Sequence, residues 1–163
     1  MHQIYELQPN KDEASVKSPA YPSFILSEIF IFGDMILPDL FVAPSPGRDR
    51  GVFTAVDLPA NTVIEITPVI VMSAGNRQLL DQTLLHDYIF EWLVEKEAEA
   101  CCMALGYVPL YNHRSPANCD YEMDFANRLI RIHTVMPVAA GEELFINYNG
   151  EWDNTAPVWF DTK

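Results

Sequence analysis

The chain has 163 residues, 49% hydrophobic and 20% charged, and its 23 acidic side chains against 10 lysines and arginines give a formal charge of −13. That length suits one domain with a real core and is short for two. So negative a surface repels phosphate backbones and anionic headgroups, which argues against direct nucleic-acid or membrane binding and favours a basic protein or peptide as partner.

Residues 1–22 are polar, proline-bearing and aperiodic, and they read as a loose arm without a cleavable signal. Ser23 to Leu37 (SFILSEIFIFGDMIL) is the most apolar run, but Glu28 and Asp34 interrupt it. It is also shorter than the about 20 residues that cross a bilayer. It reads as a buried strand or an interaction surface, and it leaves room for a homo-oligomer. The N-terminal extension is accordingly drawn over 1–39 and the main domain over 40–163 with a short C-terminal tail.

From Leu40 onward the pattern is one of short strands and turns. FVAPSPGRDRGVFTA gives a Pro/Gly-rich loop leading into an apolar strand, and Leu58 to Asn61 a turn. TVIEITPVIVM is a β-branched run that Pro68 should bend or place at an edge. Asn76 to Leu85 sets Leu79, Leu80, Leu84 and Leu85 at helical spacing. Asp87 to Val94 reads as an aromatic-rich strand, LVEKEAEA as a connecting turn, and Cys101 to Tyr107 as another strand. Arg128 to Thr134 alternates as a half-buried strand should, Met136 to Glu143 is a turn, and LFINY is the final strand. The sum is a mostly β domain with one or two short helices. Cys101, Cys102 and Cys119 lack any CxxC spacing, so buried thiols are expected, with no disulfide or zinc site, in a reducing intracellular, cytoplasmic setting.

Three segments, in order, bear on chemistry. They are Gly47-Arg48-Asp49-Arg50-Gly51-Val52-Phe53; Leu110-Tyr111-Asn112-His113 followed by Asn118-Cys119; and Gly141-Glu142-Glu143-Leu144 running on to Tyr148. Singly, each has an ordinary reading: a turn glycine, a structural Asn-His pair, a turn before a strand. Together, at these separations, they resemble the SET family of protein-lysine methyltransferases over roughly Leu40 to Asp161, with support from Asn61 to Glu65 and from Trp159-Phe160.

The resemblance implies a SET-domain, β-clip-like fold of small sheets, with a C-terminal pseudoknot in which the last strand threads the segment holding Asn112 and His113. It implies S-adenosyl-L-methionine as methyl donor, no metal, and transfer to a lysine of a basic protein, for which histone-like and ribosomal-protein-like substrates fit the charge equally. Arg50, Gly51 and Val52 would hold the methionine part of the donor, glycine allowing close backbone approach. Asn112 and His113 would hold its amino-acid and adenine ends, and Trp159 would cover the adenine. Tyr148 matches the catalytic tyrosine. Tyr121, Tyr88 and Tyr111 would line the lysine channel, although an aromatic on a strand is as readily a packing residue.

The match is imperfect in places. Arg114 stands where the family has a small serine, and Pro116 falls one position early. Gly150 stands where many relatives carry a second aromatic, which widens the channel and leaves the number of methyls open. The zinc-binding cysteine clusters are absent, so the likeness is to the compact, zinc-free branch with bacterial and viral members. Two readings compete. Tyr148, Asn112 and Gly51 together favour an active methyltransferase; Arg114 favours a catalytically weak SET-like interaction module.

Overall fold

A computed structural model describes residues 34–93 and 100–158, and over these residues ten strands form two sheets beside a short α-helix. The larger sheet runs β5 (Ile89–Glu91), β6 (Cys101–Ala104), β4 (Val63–Met72), β9 (Leu129–Thr134) and β8 (Cys119–Asp124), with β1 (Met35–Ile36) also paired to β4. The smaller runs β2 (Leu40–Pro44), β3 (Arg50–Thr54), β10 (Glu143–Ile146) and β7 (Asn112–His113). Neighbours are antiparallel except β10 and β7, which run parallel with Phe145 opposite Asn112 and Ile146 opposite His113.

Local sequence explains the main turns. PSPGR closes the β2–β3 hairpin, where Gly47 (φ 78°) and Asp49 (φ 66°) take left-handed conformations and the Ser45 N–H donates to the Asp49 carbonyl at 3.1 Å. Asp is among the few non-glycine residues that tolerate this region. Pro68 has no N–H to give, and it falls where β4 passes from pairing with β9 to pairing with β6. Strand β9 alternates as expected, with Ile130, Ile132 and Thr134 buried. Ile130 and Ile132 meet Ile64, Val52, Leu144 and Ile146 in one core, where each fully buried aliphatic contributes roughly 1.5–3 kcal/mol.

A register shift between Val63 and Glu65 in the β4–β9 pairing breaks the alternation of β4, so that Ile64 and Glu65 are both buried. Beyond it Glu65 and Thr67 pair with the buried Ile132 and Ile130, and Ile66, paired with Arg131, is buried on the other face. All three cysteines are free and buried, and burial pushes each thiol up.

Some expected elements change. The helix expected over 76–85 is α1 (Ala74–Leu80), capped by Ser73, whose side chain accepts the Asn76 N–H at 3.4 Å. Thr83 ends any continuation. Its hydroxyl donates to the Leu80 carbonyl (2.8 Å) and accepts the Leu85 N–H (3.2 Å), starting a separate 3-10 turn over Leu84–Tyr88. Leu79 and Leu84 are 66% and 74% exposed, so the helical spacing there marks no core face. The strand expected over 87–94 shortens to β5 because Asp87 and Tyr88 belong to that turn, and the strand expected over 101–107 shortens to β6. Val94, most of LVEKEAEA, the run before Asp34 and Trp159 lie outside the described residues.

Residues 112–118 clasp β10 and the chain that follows it. Arg114 donates its N–H to the Ile146 carbonyl (3.1 Å), and Ala117 to that of Trp152 (2.9 Å). The Asn118 amide donates to the Glu143 carbonyl (2.8 Å) and accepts the Phe145 N–H (2.7 Å).

Candidate active site

Leaving β10, the chain presents Tyr148. Its N–H donates to His113 Nδ1 (3.1 Å) and its hydroxyl to the Tyr111 carbonyl (2.8 Å), with the two rings of Tyr148 and His113 5.4 Å apart. Both ends of the residue are thereby fixed by the segment its own strand pairs with. Burial, reinforced by Arg48, lowers the His113 pKa, which keeps Nδ1 available as an acceptor. The Tyr148 phenol is pushed up to about 12, chiefly by burial, with Tyr88 and Asp87 adding to the shift and Arg48 opposing it. At neutral pH it is therefore a hydrogen-bond donor and not a base.

Two clefts meet at this tyrosine. The smaller, ≈ 250 Å³, is lined by Arg48, Asp49, Arg50, Leu110 and Asn112. The larger, ≈ 740 Å³, is lined by Tyr111, Tyr121, Phe90, Met123, Asp81 and Glu91 among others. Asp87, Tyr88, Pro109 and Tyr148 border both. The smaller cleft thus mixes two guanidinium groups with the carboxylates of Asp49 and Asp87, while the larger is rich in aromatic side chains, with Asp81, Asp87 and Glu91 beside Arg77 and His86.

The expected site residues divide among these places. Arg50 and Asn112 line the smaller cleft, Tyr121 and Tyr111 the larger, and Tyr88 and Tyr148 the junction. Tyr111 contributes a wall, but its side chain is 1% exposed and its hydroxyl turns inward to Glu65. Gly51 and Val52 stand behind the smaller cleft: Val52 is fully buried in the core, and a Cβ on Gly51 would overlap the Glu143 carboxylate and the Asn112 amide. His113, 7% exposed, lies beneath Tyr148 and lines neither cleft. Arg114 also lines neither. Its guanidinium lies 4.5 Å over the Phe145 ring, with Arg48 5.5 Å from the same ring, and its Nε donates to the Pro116 carbonyl at 3.2 Å.

Other residues matter that the motif reading passed over. Asn112 Nδ2 donates to the Arg50 carbonyl (2.9 Å) and to Glu143 Oε1 (2.6 Å), while Glu143 Oε2 accepts the Ser45 hydroxyl (2.8 Å). Asn112 thereby ties the first motif to Glu143 of the third, and Glu143 holds Ser45 at the start of the loop before the first motif. Asn147, fully buried, donates to the Asn154 carbonyl (2.7 Å) and accepts the Asn149 N–H (3.0 Å), which shapes the turn after Tyr148. Both lie within the third motif and its run to Tyr148, and their polarity on an otherwise apolar strand was the signal available.

A family model described as the SET domain matches residues 49–149, which take in the first motif from Asp49 onward, the second and third motifs whole, and the residues shared by both clefts. The chain belongs to the SET-domain family. As a member it is a protein-lysine methyltransferase that uses S-adenosyl-L-methionine as methyl donor.

Among similar proteins is the Schizosaccharomyces pombe histone-lysine N-methyltransferase specific for H3 lysine-37, 30% identical over 79% of this chain and 82% of its own. A solved Plasmodium falciparum protein assigned as a histone methyltransferase has TM-score 0.55 at 22% identity, covering 72% of this chain and 98% of that one. A humanized Chaetomium thermophilum Polycomb Repressive Complex 2 has TM-score 0.57 at 19% identity, covering 71% of this SET-domain chain and 16% of the neighbour. These two structural likenesses bear on the fold alone.

The smaller cleft suits the methyl donor's chemistry. Arg48 and Arg50 offer guanidinium groups for a carboxylate, Asp49 and Asp87 offer carboxylates for an amino group or a sulfonium, and Leu110 gives an apolar wall.

Proposed function

We propose that the smaller cleft holds the methyl donor, that the larger receives a lysine-bearing segment of a basic, histone-like protein, and that Tyr148 acts where the two meet. The observation that carries this reading is a pair of clefts, one lined by Arg48, Arg50 and Asn112 and the other rich in aromatic side chains, that share Tyr148, Tyr88, Asp87 and Pro109. S-Adenosyl-L-methionine supplies an electrophilic methyl group on a sulfonium when bound. Arg48, Arg50 and Asn112 bind it from their side.

The remaining work belongs to the larger cleft. A free lysine amine has a pKa of about 10.4 and is almost wholly protonated at pH 7. Crowding by Tyr121, Tyr88, Phe90 and Tyr148 disfavours the ammonium, so its proton leaves through the open cleft to bulk water and the lone pair becomes available without a dedicated base. The Tyr148 hydroxyl, held on the Tyr111 carbonyl, marks the edge of the junction and orients the entering nitrogen. The acidic rim, Asp81, Asp87 and Glu91, suits basic residues around the target lysine. Gly150 also lines this cleft, leaving open width where a side chain would narrow it.

The fission-yeast relative makes histone H3 the natural first probe. Labelled methyl transfer to recombinant H3, and to a peptide centred on the lysine in that relative's name, should occur with the parent chain. Tyr148→Phe should lower kcat by roughly 10- to 100-fold while donor affinity by calorimetry stays near parental. Parental turnover in Tyr148→Phe would remove Tyr148 from the reaction. Donor binding without transfer to H3 or any other basic protein would leave the interaction-module reading in its place.

A further inference from the structure

The wall between the clefts is fastened from behind. Residues 108–111 form it: Pro109 borders both clefts, Leu110 the smaller, Val108 and Tyr111 the larger. Behind them stands Glu65 of β4, a fully buried carboxylate. Its Oε1 accepts the N–H groups of Tyr107 (2.7 Å) and Val108 (3.2 Å), and its Oε2 accepts the Tyr111 hydroxyl (3.0 Å). Gly106, at φ 85°, brings the chain so close that a Cβ there would overlap the Glu65 carboxylate. At the front of the same turn, the Tyr111 carbonyl receives the Tyr148 hydroxyl at 2.8 Å.

A carboxylate is a costly way to fill a core, and an apolar residue of that size would hold the sheets together as well. What an apolar residue could not do is satisfy two backbone N–H groups and a phenol at once and so set where the turn lies. We propose that Glu65 is a positioning residue for methyl transfer, which through residues 107–111 fixes the carbonyl that holds the Tyr148 hydroxyl at the junction of the clefts. The inference rests on Tyr148 acting in the reaction. Reacting groups misplaced by about 1 Å lose on the order of 100-fold in rate, so the loss is expected chiefly in kcat.

Three variants of the full chain test this, with Tyr148→Phe as reference. Tyr111→Phe keeps the ring and removes one of the three bonds. Glu65→Met keeps the length and removes every acceptor. Glu65→Gln keeps an acceptor for the two N–H groups and can donate to the Tyr111 oxygen. With an H3 peptide, Tyr111→Phe and Glu65→Met should lower kcat by about tenfold or more, while peptide KM and donor Kd stay within about threefold. Glu65→Gln should recover at least about half of parental kcat, a rescue that loss of packing alone does not predict.

If Glu65→Met does not fold, Tyr111→Phe carries the test. Parental kcat in Tyr111→Phe with Tyr148→Phe impaired overturns this inference alone, as do losses confined to KM or donor Kd. Parental kcat in Tyr148→Phe overturns the role of Tyr148 and this inference with it.

Discussion

At Glu65 three hydrogen bonds favour the carboxylate, yet burial outweighs them and raises its pKa from the usual 4.5 to about 7. The folded chain therefore holds this proton more tightly than the unfolded chain. Its contribution to stability is fully present below about pH 4.5 and is lost as the pH rises towards 7, amounting to something on the order of 3 kcal/mol. Asp124, whose pKa is lowered chiefly by its hydrogen bonds from Asn127, works in the opposite sense, but in the range below its ordinary 3.8. Glu65→Gln has no proton to lose, so the stability difference between parent and variant should shift towards the variant between pH 5 and pH 8. Urea unfolding at the two pH values checks this, and parallel changes in both proteins would contradict it.

The same residue shows where sequence reading stops. In TVIEITPVIVM a glutamate looks like one outward position of an alternating strand. The register shift between Val63 and Glu65 turns it inward, and nothing in the local pattern announces a bulge. Tyr148, Asn112 and Arg50, which line the clefts, could be singled out as candidates because each sits in a motif whose order along the chain carries information. Trp159 lies outside the described residues, and Gly51 and Val52 stand a layer behind the cleft that their motif was expected to line.

Among elements, the clasp of 112–118 around β10 does the most to bring the motifs together. β10 lies between β3 and β7, so one strand touches the first motif on one side and the second on the other. Asn118 locks the arrangement because one 3%-exposed amide satisfies the Glu143 carbonyl and the Phe145 N–H. Asn118→Ala strands both groups in the interior and should cost about 2–4 kcal/mol, read as a lower urea midpoint with faster hydrogen exchange at the Phe145 amide. A loss below about 0.5 kcal/mol would mean that water or a shifted chain replaces the bonds.

Strands whose own residues decide their pairing were readable at this scale. β9 has its alternation, and the β2–β3 hairpin has its Pro/Gly-rich turn. Elements set by side-chain capping were not. Leu79, Leu84 and Leu85 mimic one amphipathic helix, but the Thr83 hydroxyl divides it and leaves all three leucines exposed. The pairing of β10 with β7 is parallel and joins residues far apart in sequence, so it followed from the family resemblance and from no local signal.

For the whole molecule the dominant quantity is charge. A net −13 draws a cationic substrate from solution, and the rim of the larger cleft continues that field to the junction. The rim carboxylates are not equivalent. Asp81 and Glu91 are engaged by Arg77, at 4.0 and 3.2 Å, and Asp81 also by His86 at 2.9 Å. Asp87 takes no part in these pairs and borders both clefts beside Tyr148. Under the proposed assignment of the clefts it would meet a lysine ammonium from one side and the positive end of the methyl donor from the other. Long-range attraction and this local contact are screened differently, since the Debye length falls from about 10 Å at 0.1 M salt to about 3 Å at 1 M. The parent should therefore lose kcat/KM for a basic H3 peptide by about tenfold between 0.05 and 0.5 M salt, mostly through KM. Asp87→Asn should begin several-fold lower at low salt and decline less steeply, because part of the screened attraction is already gone. A parent whose kcat/KM is indifferent to salt would show that the acidic surface serves solubility and not capture. A variant whose curve stays parallel to the parent's would show that the attraction comes from the molecule's overall charge, with no share assignable to the carboxylate at the junction.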